Sequence, residues 1–260
     1  MDARLNNPDF EAYYASIFGG RWETLRAVLL ETNLAVPYGQ GLEEPYFLDQ
    51  ASVLAAQALR LPEEGEILDA CAAPGGKSLV IASRMENSVR LLSNELSSDR
   101  RRRLVDVLNR HLPPDRRQRV TVSGFDAAAL ARREAERGRF RAILLDAPCS
   151  SERHVMADPA ALAQWTRNRP RSLSQRQWAL LSGAFLLLTS GGSLVYSTCA
   201  LTPEENDGVV RRLIKKYGGQ VRLDKPDLAE GEETEFGRHI LPDTSGGMGP
   251  LYVARFIKIE

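Results

Sequence analysis

The residues Ile67-Leu68-Asp69-Ala70-Cys71-Ala72-Ala73-Pro74-Gly75-Gly76-Lys77-Ser78 constrain the fold more than any other stretch of the chain. A short apolar run enters a loop of small residues, and Leu79, Val80 and Ile81 begin an apolar helical pattern behind it. That order predicts a buried strand, a tight turn and a helix N-terminus. Glycines in such a turn let a ligand approach the backbone, and the free N–H groups of the helix start favour anionic or polar ligand atoms. Taken alone, the pattern also describes an ordinary strand-to-helix turn.

Two nucleotide-binding readings compete at this loop. In a P-loop, Gly76, Lys77 and Ser78 close the Gly-x-x-x-x-Gly-Lys-Ser/Thr pattern, and Ala142-Ile143-Leu144-Leu145-Asp146 imitates its acidic strand. The first glycine would then have to stand at Cys71, and Pro74 removes an N–H from the phosphate cradle. A Rossmann-like nucleoside site instead needs an acid at the end of the next strand to hold ribose hydroxyls. Leu91-Leu92-Ser93-Asn94-Glu95 supplies it at about the 20-residue distance such sites use. The second reading is favoured.

Before the loop, Phe10, Tyr13, Tyr14, Ile17 and Phe18 recur at helical spacing, and Trp22, Leu25, Val28 and Leu29 resume the stripe after Gly19-Gly20. Two short helices sharing a core-facing apolar face are expected. Residues 33–49 carry Pro37, Gly39, Gly41 and Pro45 and read as a linker. A helix with Ser52 near its start runs to Leu59. After the loop helix, strands are expected at Val89–Asn94, Val120–Val122, Arg141–Asp146 and Ser193–Ser197, with Gly191-Gly192 as the turn into the last. Helices are expected from Ser97 or Ser98 to Asn109, over 127–137, from Leu173 to Leu188 and from Pro203 to Lys216. Residues 147–170 read as irregular, and Pro250–Ile259 alternates as a final strand. This alternation predicts an α/β fold with a mostly parallel, doubly wound sheet and its ligand at the carboxyl ends of the strands.

Composition narrows the function classes. The formal net charge is zero, so nucleic-acid binding would have to come from local patches rather than the whole molecule. Three cysteines without disulfide spacing point to a reducing compartment. No apolar run is long enough to span a bilayer, so no membrane role is expected. Asp2, Asp9 and Glu11 are unlike a targeting peptide, which gives a cytoplasmic expectation; a removed presequence would make it mitochondrial instead. With only His111, His154 and His239 scattered beside the thiols, a metal site lacks ligands.

Asp69, Glu95, Asp126 and Asp146 close successive expected strands, on the edge where such sheets bind ligands. Glu95 would take ribose hydroxyls and Asp126 an adenine amino group, while Asp69 orders the turn. Cys71, Cys149 and Cys199 follow strands one, four and five and should converge on the same edge. Cys71 needs only its backbone there. Cys149 and Cys199 sit in turns beside polar residues, where a thiol would be wasted as packing. Neither Ser150 nor Ser151 stands in a Gly-x-Ser-x-Gly elbow, which disfavours a serine hydrolase. Two thiols and an acid beside a nucleoside cofactor suit methylation of cytosine. C5 of that ring is a poor nucleophile until a thiolate adds at C6, and a base must then remove the C5 proton so that the thiol can leave.

Asp-Ala-Cys-Ala-Ala-Pro-Gly-Gly-Lys (69–77), Asp-Ala-Pro-Cys-Ser (146–150) and Tyr-Ser-Thr-Cys-Ala-Leu-Thr-Pro-Glu-Glu-Asn (196–206) together resemble the signatures of the Sun (NSUN) family of RNA 5-methylcytosine methyltransferases. The resemblance implies a Rossmann-like S-adenosylmethionine-dependent methyltransferase domain over residues 46–260, with residues 1–45 as a small helical extension and linker. It implies that Cys199 attacks C6, that Cys149 assists product release, and that Asp146 hydrogen-bonds the cytosine near the cofactor. Cys71, Ala72, Ala73, Pro74, Gly75, Gly76 and Lys77 would cradle the methionine part of S-adenosylmethionine. Glu95 would lie on the ribose, Asp126 near adenine, and Arg100 and Asp146 close by. Lys77 would also contact Asp146.

Two departures refine the resemblance. The usual Ser-Gly-x-Gly after Asp-Ala-Pro-Cys is replaced by Ser150-Ser151-Glu152-Arg153-His154, and the usual aromatic Asp-Gly-Phe-Phe by Met248-Gly249-Pro250-Leu251-Tyr252. Both look like the branch with the mitochondrial ribosomal-RNA and tRNA-methionine enzymes. RNA is the expected partner, ribosomal RNA first and tRNA second; whether a protein delivers it stays open. Of the basic clusters, Arg100–Arg103 and Arg116–Arg119 are read as solvated helix faces. Arg167, Arg169, Arg171 and Arg176, flanked by Trp165 and Trp178, are read as RNA contact. The acidic stretch from Asp224 to Glu235 is read as a surface loop. A P-loop nucleotide-binding protein and a non-catalytic RNA-binding assembly factor are the competing classes.

Overall fold

Strand residues of the central segments alternate between two apolar faces, and the architecture follows from that alternation. Ile67, Ala142, Leu144 and Val195 enter one core, while Leu68, Ile143, Leu145, Leu194 and Tyr196 enter another. Successive side chains of a strand point to opposite faces, so a sheet apolar on both must be covered by helices on both. The structure, a computed structural model, describes residues 7–32 and 35–259. The first six positions of the expected extension, with Asp2, lie outside the described residues. So do linker positions 33–34 and the last residue of the expected main domain.

The described chain opens with α1 (Pro8–Phe18) and α2 (Trp22–Leu30). The expected linker is largely strand: β1 (Ala35–Tyr38) pairs antiparallel with β2 (Tyr46–Asp49). Its glycines and prolines mark the turn of a ribbon, anchored by buried Tyr38 and Leu48. The alternation proper begins with α3 (Gln50–Gln57), β3 (Gly65–Asp69), α4 (Gly76–Arg84), β4 (Val89–Asn94) and α5 (Ser98–His111), capped by Ser97. Next come α6 (Pro114–Arg117), β5 (Val120–Ser123), α7 (Ala127–Leu130) and β6 (Phe140–Asp146). Then follow α8 (Glu152–Ala157), α9 (Pro159–Ala163), α10 (Asn168–Leu187), β7 (Leu188–Thr198) and α11 (Asp207–Tyr217). The chain closes with β8 (Val221–Leu223), β9 (Glu232–Glu233), β10 (Arg238–Ile240) and β11 (Leu251–Lys258).

Five strands run parallel in the order β5-β4-β3-β6-β7, and β11 pairs antiparallel against β7. The strand order reverses between β3 and β6, which opens a crevice at their carboxyl ends. Helices α3, α4 and α5 cover one face of the sheet, and α7, α10 and α11 the other. A third apolar cluster joins α1 and α2 to α8 and α9 through Phe10, Tyr14, Trp22, Val155, Met156, Leu162 and Trp165.

Several element boundaries differ from the sequence expectation. The helix expected over 127–137 stops at Leu130, followed by a single 3-10 turn at Glu134–Glu136. Residues 132–137 are nearly all charged and offer no apolar stripe to bury. Helix α10 starts at Asn168, five residues early, because Pro170 falls in its first turn, where no N–H is needed. Helix α11 starts late, at Asp207, because Glu205 and Asn206 turn inward and are buried. Gly191-Gly192 is not a turn before a strand but an irregularity within β7, opposite a register shift between Phe140 and Ala142. Of the acidic stretch, Asp224 pairs with Arg60 and Arg255, and Glu232 with Arg21 on the N-terminal helices.

Candidate active site

The loop after β3 is laced to its neighbours before any ligand is considered. Ala70 N–H donates to Leu144 O (2.9 Å) and Ala72 N–H to Asn94 O (2.8 Å). Asn94, which the sequence reading passed over, ties three strand ends together. Its Nδ2 donates to Ala70 O and Phe125 O (both 3.0 Å), and its Oδ1 accepts from Phe125 N–H (3.0 Å) and Ser123 Oγ (3.1 Å). Gly75, at φ 122°, lets the chain turn into α4 with its backbone close to Val107 and Leu104; a Cβ there would stand 3.0 Å from Val107 Cγ1. Asp69 is buried and accepts from Ser78 Oγ (2.6 Å). Burial, aided by the field of Asp146, pushes its carboxyl up to about 7.

A cleft of about 830 Å³ opens at the carboxyl edge, within the range that holds a nucleoside-sized ligand. Cys71, Ala73, Glu95, Arg100, Asp146, Cys149 and Cys199 all line it. Glu95 is buried at its rim; its Oε1 accepts from Ser97 N–H (2.9 Å), and Arg100 Nη1 stands 3.3 Å from Oε2. Oε2 makes no hydrogen bond beyond that ion pair, which leaves acceptor capacity for a ligand hydroxyl at the rim. Arg100 Nη2 donates to Ala73 O (2.7 Å), fixing the loop beside the cleft. Ala72, Pro74, Gly76 and Lys77 line a smaller adjoining hollow. Asp126, expected near adenine, does not itself line the cleft: it caps α7 and is ion-paired to cleft-lining Arg176 (3.0 Å), between cleft-lining Phe125 and Ala127. These donors and acceptors fit a polar nucleoside with a charged tail.

A second cavity of about 280 Å³ meets the cleft at Asp146, Ala147, Ser151, His154 and Cys199, and is otherwise walled by residues such as Ser52, Lys77, Arg153 and Pro250. At the junction the thiols of Cys149 and Cys199 lie 2.9 Å apart. Ser151 Oγ sits beside the pair, 3.2 Å from Cys199 Sγ and 3.5 Å from Cys149 Sγ. Ser151 has φ 53°, a strained conformation for a residue with a side chain. Where the Sun-family pattern has glycine, this chain accepts that strain and gains a hydroxyl beside both sulfurs.

Asp146 Oδ2 accepts from Lys77 Nζ (2.8 Å) and Oδ1 from Ser197 Oγ (2.8 Å). Burial works against the Lys77 charge, but Asp146 outweighs it, with a further contribution from Cys199, and holds the ammonium above the usual lysine range. Because Lys77 also donates to Ser52 Oγ (3.1 Å), its ammonium is committed to this junction rather than poised over the loop as a P-loop lysine would be. The thiols differ. The hydrogen bond with Cys199, then burial, raise the Cys149 thiol well above its ordinary value, so it stays protonated. Burial and the fields of Asp69 and Asp146 push the Cys71 thiol up to about 12, which leaves it inert. Among the described residues no cluster of His, Cys, Asp and Glu could hold a metal ion, and no helix is long and apolar enough to cross a membrane.

The expected RNA contact over 165–178 is not what the structure shows for its aromatic part. Trp165 is buried against Phe10, Tyr13 and Tyr14, and Trp178 lies beneath Arg212 and Lys216. Trp165 offers no free stacking face, and the ring of half-buried Trp178 already carries two cations of this chain. The partners of Trp165 lie some 150 residues away, so local sequence does not show that its ring belongs to the core. Glu152 and Glu205, buried under the thiol loops, were also missed.

The sheet order, with a glycine-bearing loop at the strand end that faces the crevice, defines the fold class of the Rossmann-like S-adenosylmethionine-dependent methyltransferases. A family model described as "16S rRNA methyltransferase RsmB/F" matches residues 56–257. The chain belongs to the RsmB/F family. It is 35% identical over 243 residues to "Ribosomal RNA small subunit methyltransferase F" of Aeromonas salmonicida, covering 88% of this chain and 50% of that protein. It spans about half the length of the curated relatives it matches. Among solved structures it is similar to NSun6 from Pyrococcus horikoshii with SFG (26% identity, TM-score 0.70, 85% of this chain and 54% of that one). A methyltransferase homolog protein from Pyrococcus horikoshii shares the fold (22% identity, TM-score 0.76, 98% and 97% covered).

Proposed function

We propose that this chain is an RNA cytosine-C5 methyltransferase acting on small-subunit ribosomal RNA in the cytoplasm. The observation that carries the reading is the thiol pair, 2.9 Å apart where a nucleoside-sized cleft meets a second, smaller cavity. S-adenosylmethionine, held by residues 71–77 with Glu95 and Arg100 at its ribose and Asp126 toward its base, supplies an electrophilic methyl group when bound. Cys199 is the nucleophile at C6. Cys149 keeps its own proton and donates to the Cys199 sulfur, and the Lys77 ammonium lines the same junction. Asp146, fixed from both sides by Lys77 and Ser197, holds the cytosine ring edge. After methylation Cys149 hands its proton to the departing Cys199 sulfur as the C6–sulfur bond breaks, and takes the C5 proton in its place. A base in a helix must be flipped out, or presented unpaired, to reach the smaller cavity.

The substrate follows the bacterial relative's name. The motif departures at residues 150–154 and 248–252 alone favour the mitochondrial style, but the Aeromonas relative lends that branch no support, and tRNA is the second substrate. The test is transfer of labelled methyl from S-adenosylmethionine to small-subunit ribosomal RNA and to tRNA, with bisulfite sequencing of the product. Label in a ribosomal cytosine is expected, and label confined to tRNA would reassign the substrate. Stabilisation by ATP and not by S-adenosylhomocysteine would restore the P-loop class.

A further inference from the structure

Beneath the thiol pair lie two carboxyl groups that the mechanism above does not use. Glu152 and Glu205 are both fully buried. Glu152 Oε1 accepts from Tyr14 OH (2.5 Å) and Ser150 Oγ, and its Oε2 accepts from Leu201 N–H (3.1 Å). Glu205 Oε2 accepts from Ser150 N–H (2.9 Å) and Gln177 Nε2 (2.7 Å), and Gln177 Nε2 also donates to Pro148 O (2.9 Å). Ser150 adjoins Cys149, and Leu201 is two residues beyond Cys199. Glu152 therefore grips both thiol loops at once, and Glu205 grips the first from the other side.

Buried carboxyls are costly to retain where apolar packing would serve, which points to a need for geometry rather than stability. One donor to Glu152 comes from far along the chain. Tyr14 belongs to α1, and its ring is wedged against Trp22 (5.1 Å between centroids) and Trp165 (5.8 Å). Asn7 Nδ2 donates to Leu162 O (2.8 Å) and Trp165 O (3.2 Å), clamping α1 onto the segment that follows the Cys149 loop.

We propose that α1 is part of the site's scaffold: Tyr14, acting through Glu152, is a positioning residue that sets the approach of the Cys149 and Cys199 thiols, with Glu205 as the second anchor. Without the Tyr14 hydroxyl, Glu152 Oε1 keeps Ser150 alone, and the acceptor shared by the two loops loosens. The thiols then drift apart, and Cys149 loses the hydrogen bond that holds its proton. The kinetic consequence rests on the methyltransferase reading, whereas the thiol consequence does not.

Tyr14→Phe removes one oxygen and keeps the ring, so the aromatic cluster survives; Glu152→Gln is the second variant. In the full chain at pH 8, iodoacetamide labelling of Cys149, followed by peptide mass mapping, should accelerate about three- to tenfold in Tyr14→Phe as its thiolate fraction rises. The kcat of methyl transfer should fall by about tenfold while KM for RNA stays unchanged. Unchanged labelling of Cys149 in both variants overturns the proposal, and so does a raised KM for RNA without faster labelling, which would make α1 an RNA-binding element. Faster labelling in a protein whose wild type methylates no RNA would uphold the positioning role and sink the function proposed above.

Discussion

Lys77 is hydrogen-bonded to Asp146 and Cys149 to Cys199, two pairs at one junction of the two cavities. Lys77→Met leaves Asp146 with Ser197 alone and strips positive charge from beside Cys199. Both partners keep some solvent contact, so the stability loss should be about 1–3 kcal/mol, below that of a fully buried pair. The larger effect should be on adduct formation, which a labelled-RNA gel would follow. Glu205 makes a pH prediction. Burial, then Glu152, push its carboxyl up to about 7. A folded value above the unfolded one means stability that is complete below about pH 4, the unfolded glutamate value, and is lost as pH rises through 7. Thermal melts should therefore fall between pH 5 and 8, and Glu205→Gln should flatten that decline; an identical slope in the variant would contradict it. The thiols, Asp146 and Glu95 were legible in the sequence because each closes a strand. Glu152, Glu205 and Asn94 were not, because a buried polar residue is defined by partners that only the fold supplies.

The elements that position the site were read where the local pattern was strong. The β3 loop, the β4 acid and the Ser97 cap stand where sequence placed them. The short helices α8 and α9 were invisible, since single-turn helices with mixed polarity carry no period. The antiparallel insertion of β11 against β7 is equally absent from local sequence, because pairing partners are set by topology. At the loop itself, Gly75→Ala must place a Cβ at φ 122° and 3.0 Å from Val107 Cγ1. The expected cost is about 1–3 kcal/mol, read by denaturant melts, together with weaker S-adenosylhomocysteine binding by calorimetry. Unchanged affinity would mean that this turn does not shape the cofactor cradle.

At the scale of the molecule, the N-terminal helices are built into the same body as the thiol loops. The aromatic stripe was rightly read as core, but its other half, Trp165 with Val155, Met156 and Leu162, lies in a segment expected to be irregular. Trp165→Ala should cost about 3–5 kcal/mol, as for other buried aromatics, with loss of the near-ultraviolet aromatic signal. A cost within a few tenths of a kcal/mol would show that α1 and α2 are not integral. The proposed catalysis turns on the division of labour between two sulfurs held side by side. The most direct measurement is denaturing electrophoresis of the protein incubated with S-adenosylmethionine and labelled small-subunit ribosomal RNA. Cys149→Ala should accumulate a covalent RNA–protein species and Cys199→Ala should form none; an adduct seen only when Cys199 is removed would contradict the assignment.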